Sequence, residues 1–190
     1  MRTIILEGIA TSGKSTVIKM LVSSFPNSQI VKVVPEAETL MAIESNTDLE
    51  TSISYLKYVI EQAYQSPSDV VIFDRLYLTH MFRVHGAIAD FAIIEDLLIP
   101  HQPTTVFLEV DESTIAKRVE LASQHRDLDW RTYIQTKGET FSDIAQYYIG
   151  QQRHQKKLLV DSKIPYKIYD VSSRDYGAIV QDILLEFQES

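Results

Sequence analysis

The chain has 190 residues, 45% of them hydrophobic and 23% charged, and a formal net charge of −8, which fits one domain able to bury its own core. An acidic balance of that size argues against a broad nucleic-acid surface, so an anionic ligand has to be held by a local basic cluster. Zero cysteines exclude disulfides, thiolate metal sites and a cysteine nucleophile, and with no basic leader and no apolar run of membrane-spanning length a cytoplasmic protein is expected.

In chain order the first signal is a β-branched run, Thr3-Ile4-Ile5-Leu6-Glu7, followed at once by Gly8-Ile9-Ala10-Thr11-Ser12-Gly13-Lys14-Ser15 and then by a helical pattern. The octapeptide fits G-x-x-x-x-G-K-[ST] in full and sits in the strand-then-helix setting that gives the pattern meaning. Gly8 and Gly13 permit the tight turn. The backbone at Ala10, Thr11, Ser12, Gly13 and Thr16, at the start of a helix, suits phosphate oxygens. Lys14 is expected on the outer phosphates, and the Ser15 hydroxyl on a Mg²⁺ ion that keeps several waters. The chemistry implied is a nucleoside-triphosphate site, with ATP and Mg²⁺ as its expected ligands.

Further β-branched runs stand at 30–34, 70–73, 104–109 and 166–171, with helical patterns between them. Near-continuous apolar strands alternating with helices argue for an α/β fold with a parallel sheet covered on both faces, in which ligands collect beyond the carboxyl ends of the strands. After the second run, Pro35-Glu36-Ala37 is expected to carry Glu36 toward the phosphate loop. A helix over about 48–65 has Ile53, Leu56, Val59, Ile60 and Ala63 as its core stripe, with Tyr55, Tyr58 and Tyr64 interleaved, mostly as packing but available to line a flat-ring pocket. The third run closes on Asp74-Arg75. An acidic residue there is the usual carboxylate that orients Mg²⁺, and Arg75 beside it is suited to clamping an acceptor.

Residues 76–99 read as helical, with Gly86 splitting the run and Pro100 ending it. Asp111 is expected as an N-cap of a helix running to about Ser123. The stretch Gln124-His125-Arg126-Asp127-Leu128-Asp129-Trp130-Arg131 is dense in charge and reads as a mobile segment. With Arg118, Arg126 and Arg131 it forms an expected lid over about 118–138, packed down by Trp130. Eight of the 18 Lys and Arg residues fall between 117 and 157. A helix over about 139–161, a last strand and a helix ending near Phe187 complete a single domain over 1–190. The five histidines show no metal-ligand spacing.

Taken together, the phosphate loop, the Pro-Glu turn, Asp74-Arg75, Phe107-Leu108-Glu109-Val110-Asp111 and the arginine segment, in that order, resemble the thymidylate kinase and deoxynucleoside kinase superfamily over nearly the whole chain. The resemblance implies a three-layer P-loop NTPase fold, with the five runs in one parallel sheet ordered 2-3-1-4-5. It also implies transfer of the γ-phosphoryl group of ATP to a small-molecule acceptor. Lys14 and Ser15 match the family's phosphate and magnesium positions, Glu36 its general base, Arg75 its partner arginine, and Arg118, Arg126 and Arg131 its lid region. Three places depart from it. Val34 stands where thymidylate kinases carry an arginine, the turn is Pro35-Glu36-Ala37 where deoxynucleoside kinases have Glu-Pro followed by an aromatic, and Leu56, with Gln62 further on, stands where they carry a base-reading glutamine. The leading expectation is phosphoryl transfer to a hydroxyl, foremost of a (deoxy)nucleoside. A nucleoside-monophosphate kinase of the thymidylate type is the alternative, and a nucleotide-binding switch the weaker one, since an Asn-Lys-x-Asp run is absent. No nucleic-acid or membrane partner is expected, and a homodimer is left open.

Overall fold

The computed structural model describes residues 1–41 and 48–189. Its strands are β1 (Arg2–Glu7), β2 (Val31–Val34), β3 (Val70–Asp74), β4 (Pro103–Glu109) and β5 (Tyr166–Asp170). They form one sheet in the order β2-β3-β1-β4-β5, and every pairing is parallel. The helices are α1 (Lys14–Ser24), α2 (Glu36–Thr39), α3 (Leu49–Gln65), α4 (Tyr77–Val84), α5 (Ala92–Leu98), α6 (Ile115–Ser123), α7 (Leu128–Gln135), α8 (Phe141–Asp161) and α9 (Tyr176–Glu189). The expected strand order and layering are those observed.

Strand alternation sorts the core into two layers. On β1, Ile4 and Leu6 face a cluster built with Val17 and Leu21 of α1, Val119 of α6 and Val180 of α9. Ile5 faces the opposite cluster, with Leu56 and Ile60 of α3, Met81 of α4 and Ile94 of α5. Helix α8 spans both: Ile144 and Tyr148 enter the first cluster, Leu158 and Leu159 the second. That crossing brings the middle of α8 over the carboxyl ends of the central strands. In register Leu6 pairs with Asp74 and with Val106, so the ends of β1 and β3 lie side by side.

Two local readings are refined. The apolar run at 76–99 breaks where expected: α4 ends on His85 in the left-handed region (φ 55°), Gly86 follows, and a 3₁₀ turn over Ile88–Phe91 leads into α5. The charged stretch at 124–137 is not an irregular loop. Asp127 caps α7 by accepting the Trp130 N–H at 2.8 Å, Asp129 sits in the first turn, and Ile134 is buried in the core. An N-cap, an acidic first turn and apolar residues at i, i+3 and i+4 specify a short helix, which the density of charge obscured in the sequence. Among the described residues no helix is long and apolar enough to cross a membrane.

The two-layer core gives a direct stability test. Leu56 is fully buried whereas Leu128 is 69% exposed, so Leu56→Ala should lower the unfolding free energy by about 2–5 kcal/mol. In the same urea titrations Leu128→Ala should stay within about 0.5 kcal/mol of the parent.

Candidate active site

The phosphate loop has the backbone its glycines were expected to supply. Gly8 has φ 140° and Gly13 φ 98°, a region that L side chains avoid. Space is closed as well: a Cβ on Gly8 would meet the Leu108 carbonyl oxygen at 2.7 Å, and one on Gly13 would meet the Tyr176 ring at 2.4 Å. Gly13 caps α1 without a side-chain hydrogen bond, and no acidic residue stands in the first turn. The N–H groups of Gly13, Lys14 and Ser15 therefore face the cleft without a partner among the described residues. Those of Ser12 and Thr16 are already spent on Ile9 and Gly13. The Thr11 and Ser12 hydroxyls are buried without a partner.

Lys14 is 6% exposed and folds back on the loop, donating to the Gly8 and Ile9 carbonyls at 3.2 and 3.1 Å. Burial, and then the nearby Arg75, bring its pKa down to about 8. The resting loop thus holds a cation that only weak carbonyl bonds restrain, close to amides that an anion would satisfy.

Beside it β3 delivers Asp74 and Arg75. Arg75 lies in the left-handed region (φ 62°), its N–H bonded to the Leu6 carbonyl at 2.9 Å. The turn sends its side chain, 4% exposed, against Glu36 and toward the Thr79 hydroxyl, 3.5 Å from Nη1, through which it reaches Glu7. Its Nε lies 2.9 Å from Glu36 Oε1. On the other side is Glu7, fully buried, which accepts the Leu76 N–H at 2.9 Å and the Thr79 hydroxyl at 2.8 Å. Burial opposes the charge of Arg75, but Glu36 and then Glu7 more than offset it and hold its pKa above the ordinary value. For Glu36, at the start of α2, burial acts to raise the pKa, and Arg75 followed by Lys14 outweighs it, leaving a value of about 2. Burial raises the pKa of Glu7.

Helix α2 is fixed from behind. The Thr39 hydroxyl reaches the Asp74 carbonyl at 3.1 Å, and the Thr39 carbonyl accepts from His80 Nε2 at 2.6 Å while His80 Nδ1 lies 2.6 Å from the Ser52 hydroxyl. Burial lowers the His80 pKa to about 4, so the ring is neutral. The Thr39 carbonyl requires Nε2 to be the protonated nitrogen, and Nδ1 accepts from Ser52.

The residues present fit a magnesium ion. Asp74 Oδ1 is buried with no partner, and burial raises the carboxyl pKa against the pull of Lys14. Ser15 lines the cleft, and Asp74 stands at the strand end directly before Arg75, which lines it too. Among the described residues no three His, Cys, Asp or Glu side chains converge, which suits an ion that takes one carboxylate, a hydroxyl and phosphate oxygens rather than a protein cage.

The cleft itself measures about 930 Å³. It brings together the phosphate loop with Lys14 and Ser15, Glu36, Arg75, Arg118 and Arg126. The expected lid arginines part company here. Arg118 is 6% exposed and donates to the Val171 carbonyl at 2.5 Å and the Thr11 carbonyl at 3.4 Å, so it ties α6 to the phosphate loop. Arg126 lies over Trp130, 5.6 Å from the ring centroid. Arg131 is exposed, donates from Nε to the Asp127 carbonyl at 3.4 Å and is not among the described residues that line the cleft. The α3 residues are elsewhere too. Tyr55 bonds the Glu38 carbonyl, Tyr64 bonds Thr3, Leu56 is core and Gln62 is exposed. The sequence reading missed Glu7, Arg83, Tyr148, Gln151 and Tyr176. Only Glu7 left a signal, as a carboxylate in an apolar strand.

No protein-family model matches this sequence, and no curated protein matches it. Solved structures do. The YorR protein of Bacillus subtilis in complex with phosphorylated GDP is 18% identical, with 98% of this chain and 95% of that one covered at a TM-score of 0.65. Thymidylate kinase of Candida albicans is 14% identical, covering 99% and 91% at 0.60. Shikimate kinase of Bacteroides thetaiotaomicron is 17% identical, covering 100% and 99% at 0.54. At these identities the likeness is one of architecture: the chain has the fold of the P-loop kinases over its whole length.

Proposed function

We propose that the chain is an ATP- and Mg²⁺-dependent kinase that phosphorylates a hydroxyl of a small molecule, with a nucleoside as the leading acceptor class. The observation that carries this reading is the Glu36–Arg75 pair at 2.9 Å, in the same cleft as a complete phosphate loop. A loop alone binds nucleotide; a carboxylate positioned beside it gives a hydroxyl somewhere to leave its proton.

The steps follow from the chain's own groups. The free amides at the start of α1 bind the triphosphate, and Lys14 exchanges two loop carbonyls for phosphate oxygens. Ser15 and Asp74 would hold Mg²⁺, which when bound neutralises phosphate charge. Arg75 binds the acceptor and Glu36 takes the hydroxyl proton as the phosphoryl group transfers. A carboxylate with a pKa of about 2 is a weak base, so an acceptor that draws Arg75 away from Glu36 raises its basicity when needed. The same low value favours the second reading, a nucleoside-monophosphate kinase, because an anionic phosphate acceptor needs no base.

Two measurements test these roles. Glu36→Gln keeps size and hydrogen bonding but cannot accept a proton, so kcat on a hydroxyl acceptor should fall at least about a hundredfold with the KM for ATP little changed. Activity surviving within a few-fold would move the monophosphate reading ahead. For Lys14 the sign is fixed by its lowered pKa: free protein loses the charge as pH rises through about 8, whereas a bound triphosphate favours the charged form. Binding of a non-hydrolysable ATP analogue should therefore take up a proton above that pH and weaken as pH rises. Lys14→Arg, charged throughout, should flatten the slope in calorimetry run in buffers of different ionisation enthalpy.

A further inference from the structure

The inner wall of the cleft carries donors that the protein leaves unused. Tyr148, on α8, is 2% exposed, and its hydroxyl has no hydrogen-bond partner. Gln151, less than a turn along the same helix and 3% exposed, lines the cleft with its amide bonded to no described residue. Arg83 on α4 lines it too. Its Nη2 donates to the Tyr133 hydroxyl at 2.6 Å, which occupies one of five N–H donors.

Charge at this wall is unbalanced. Arg83 forms no ion pair with a described residue and only adds, at a distance, to the field that holds Glu36 ionised. Lys137 Nζ lies 4.7 Å from the centroid of the Tyr133 ring and 5.1 Å from that of Tyr147, and Arg83 sits 5.8 Å from the former. Burial, and then Arg83, lower the pKa of Lys137. Two cations therefore share one aromatic ring, neither paired with a carboxylate among the described residues, in a chain whose net charge is −8. Repulsion of that kind is relieved when an anion enters. A guanidinium with free donors, a free phenol and a free amide are complementary to the oxygens of one.

We propose that this wall is an oxyanion subsite: Arg83, reinforced by the charge of Lys137 and by donors from Tyr148 and Gln151, binds a phosphate or carboxylate that the acceptor carries besides the hydroxyl it presents to Glu36. This rests on the kinase reading and narrows it. It displaces a neutral nucleoside as the leading acceptor class in favour of an anionic hydroxy compound, such as a nucleoside that already carries a phosphate.

The test uses the full chain saturated with Mg²⁺ and a non-hydrolysable ATP analogue, so that the phosphate loop is filled. Thermal unfolding is then followed against inorganic phosphate, and separately against acetate, each balanced with chloride to constant ionic strength. The wild type and the remote surface variant Lys57→Gln should show the same saturable rise in midpoint. Arg83→Gln should weaken the apparent affinity at least tenfold, Lys137→Gln less, and Arg83→Lys should retain part of the response. A response to phosphate alone identifies a phosphorylated acceptor, and a response to acetate alone a carboxylate. An equal response in wild type and Arg83→Gln, or a saturable response to neither anion, overturns the subsite. The kinase reading is judged apart, by stabilisation from the analogue itself. The remote variant Lys57→Gln should leave that unchanged and Lys14→Ala should weaken it at least tenfold; if Lys14→Ala binds the analogue as the wild type does, that reading falls and this inference with it.

Discussion

A guanidinium buried to 4% exposure has to be surrounded by compensating charge, and the site is built around that requirement at Arg75. Glu36, its side chain 43% exposed, keeps water on one side of the pair, while the buried guanidinium would be stranded without it. Glu36 comes from the start of α2, Glu7 from the end of β1 and Thr79 from α4, so the pair that serves the proposed chemistry also fastens three elements together. Arg75 itself reaches that position through a left-handed turn closed by the Leu6 carbonyl. Such strain persists only where the surroundings determine it several times over. Neutral His80, bridging Thr39 and Ser52, gives the same segment a second fixed point.

Around this fixed centre the remaining charged groups are restrained by weaker partners. Lys14 rests on two carbonyls and Arg126 on an indole face, interactions that phosphate oxygens easily replace. Arg118 belongs to the fixed part, because its two carbonyl bonds join the loop after β5 to the phosphate loop. Helix α7 combines both kinds of restraint, anchored by Ile134 in the core and joined to α4 by the bond between Tyr133 and Arg83.

Much of this was legible in the sequence because it is local. The glycines at 8 and 13 declare a backbone that other residues avoid, Gly13-Lys14-Ser15 completes the phosphate-loop pattern, and five apolar runs separated by helical patterns declare a parallel sheet. Asp74-Arg75 and Glu36 were legible as well, since the ends of parallel strands share one edge. The lid was harder to read. Trp130, Tyr133 and Ile134 fall on one face of α7 and Arg131 on another, so helical phase turns Arg131 away from the cleft that Arg126, ahead of the helix, lines, and charge content hides phase.

What the sequence alone determined is the local form of the phosphate loop, where each residue's placement depends on neighbours a few positions away. The tertiary structure alone decided the far wall of the cleft. Glu7 lies 68 residues before Arg75, and Arg83, Tyr148 and Gln151 come from two helices that meet because α8 crosses from one core layer to the other. No spacing encodes that meeting. Side chains become partners there through packing of the sheet and its covering helices, and packing leaves no periodic trace at the polar positions it brings together.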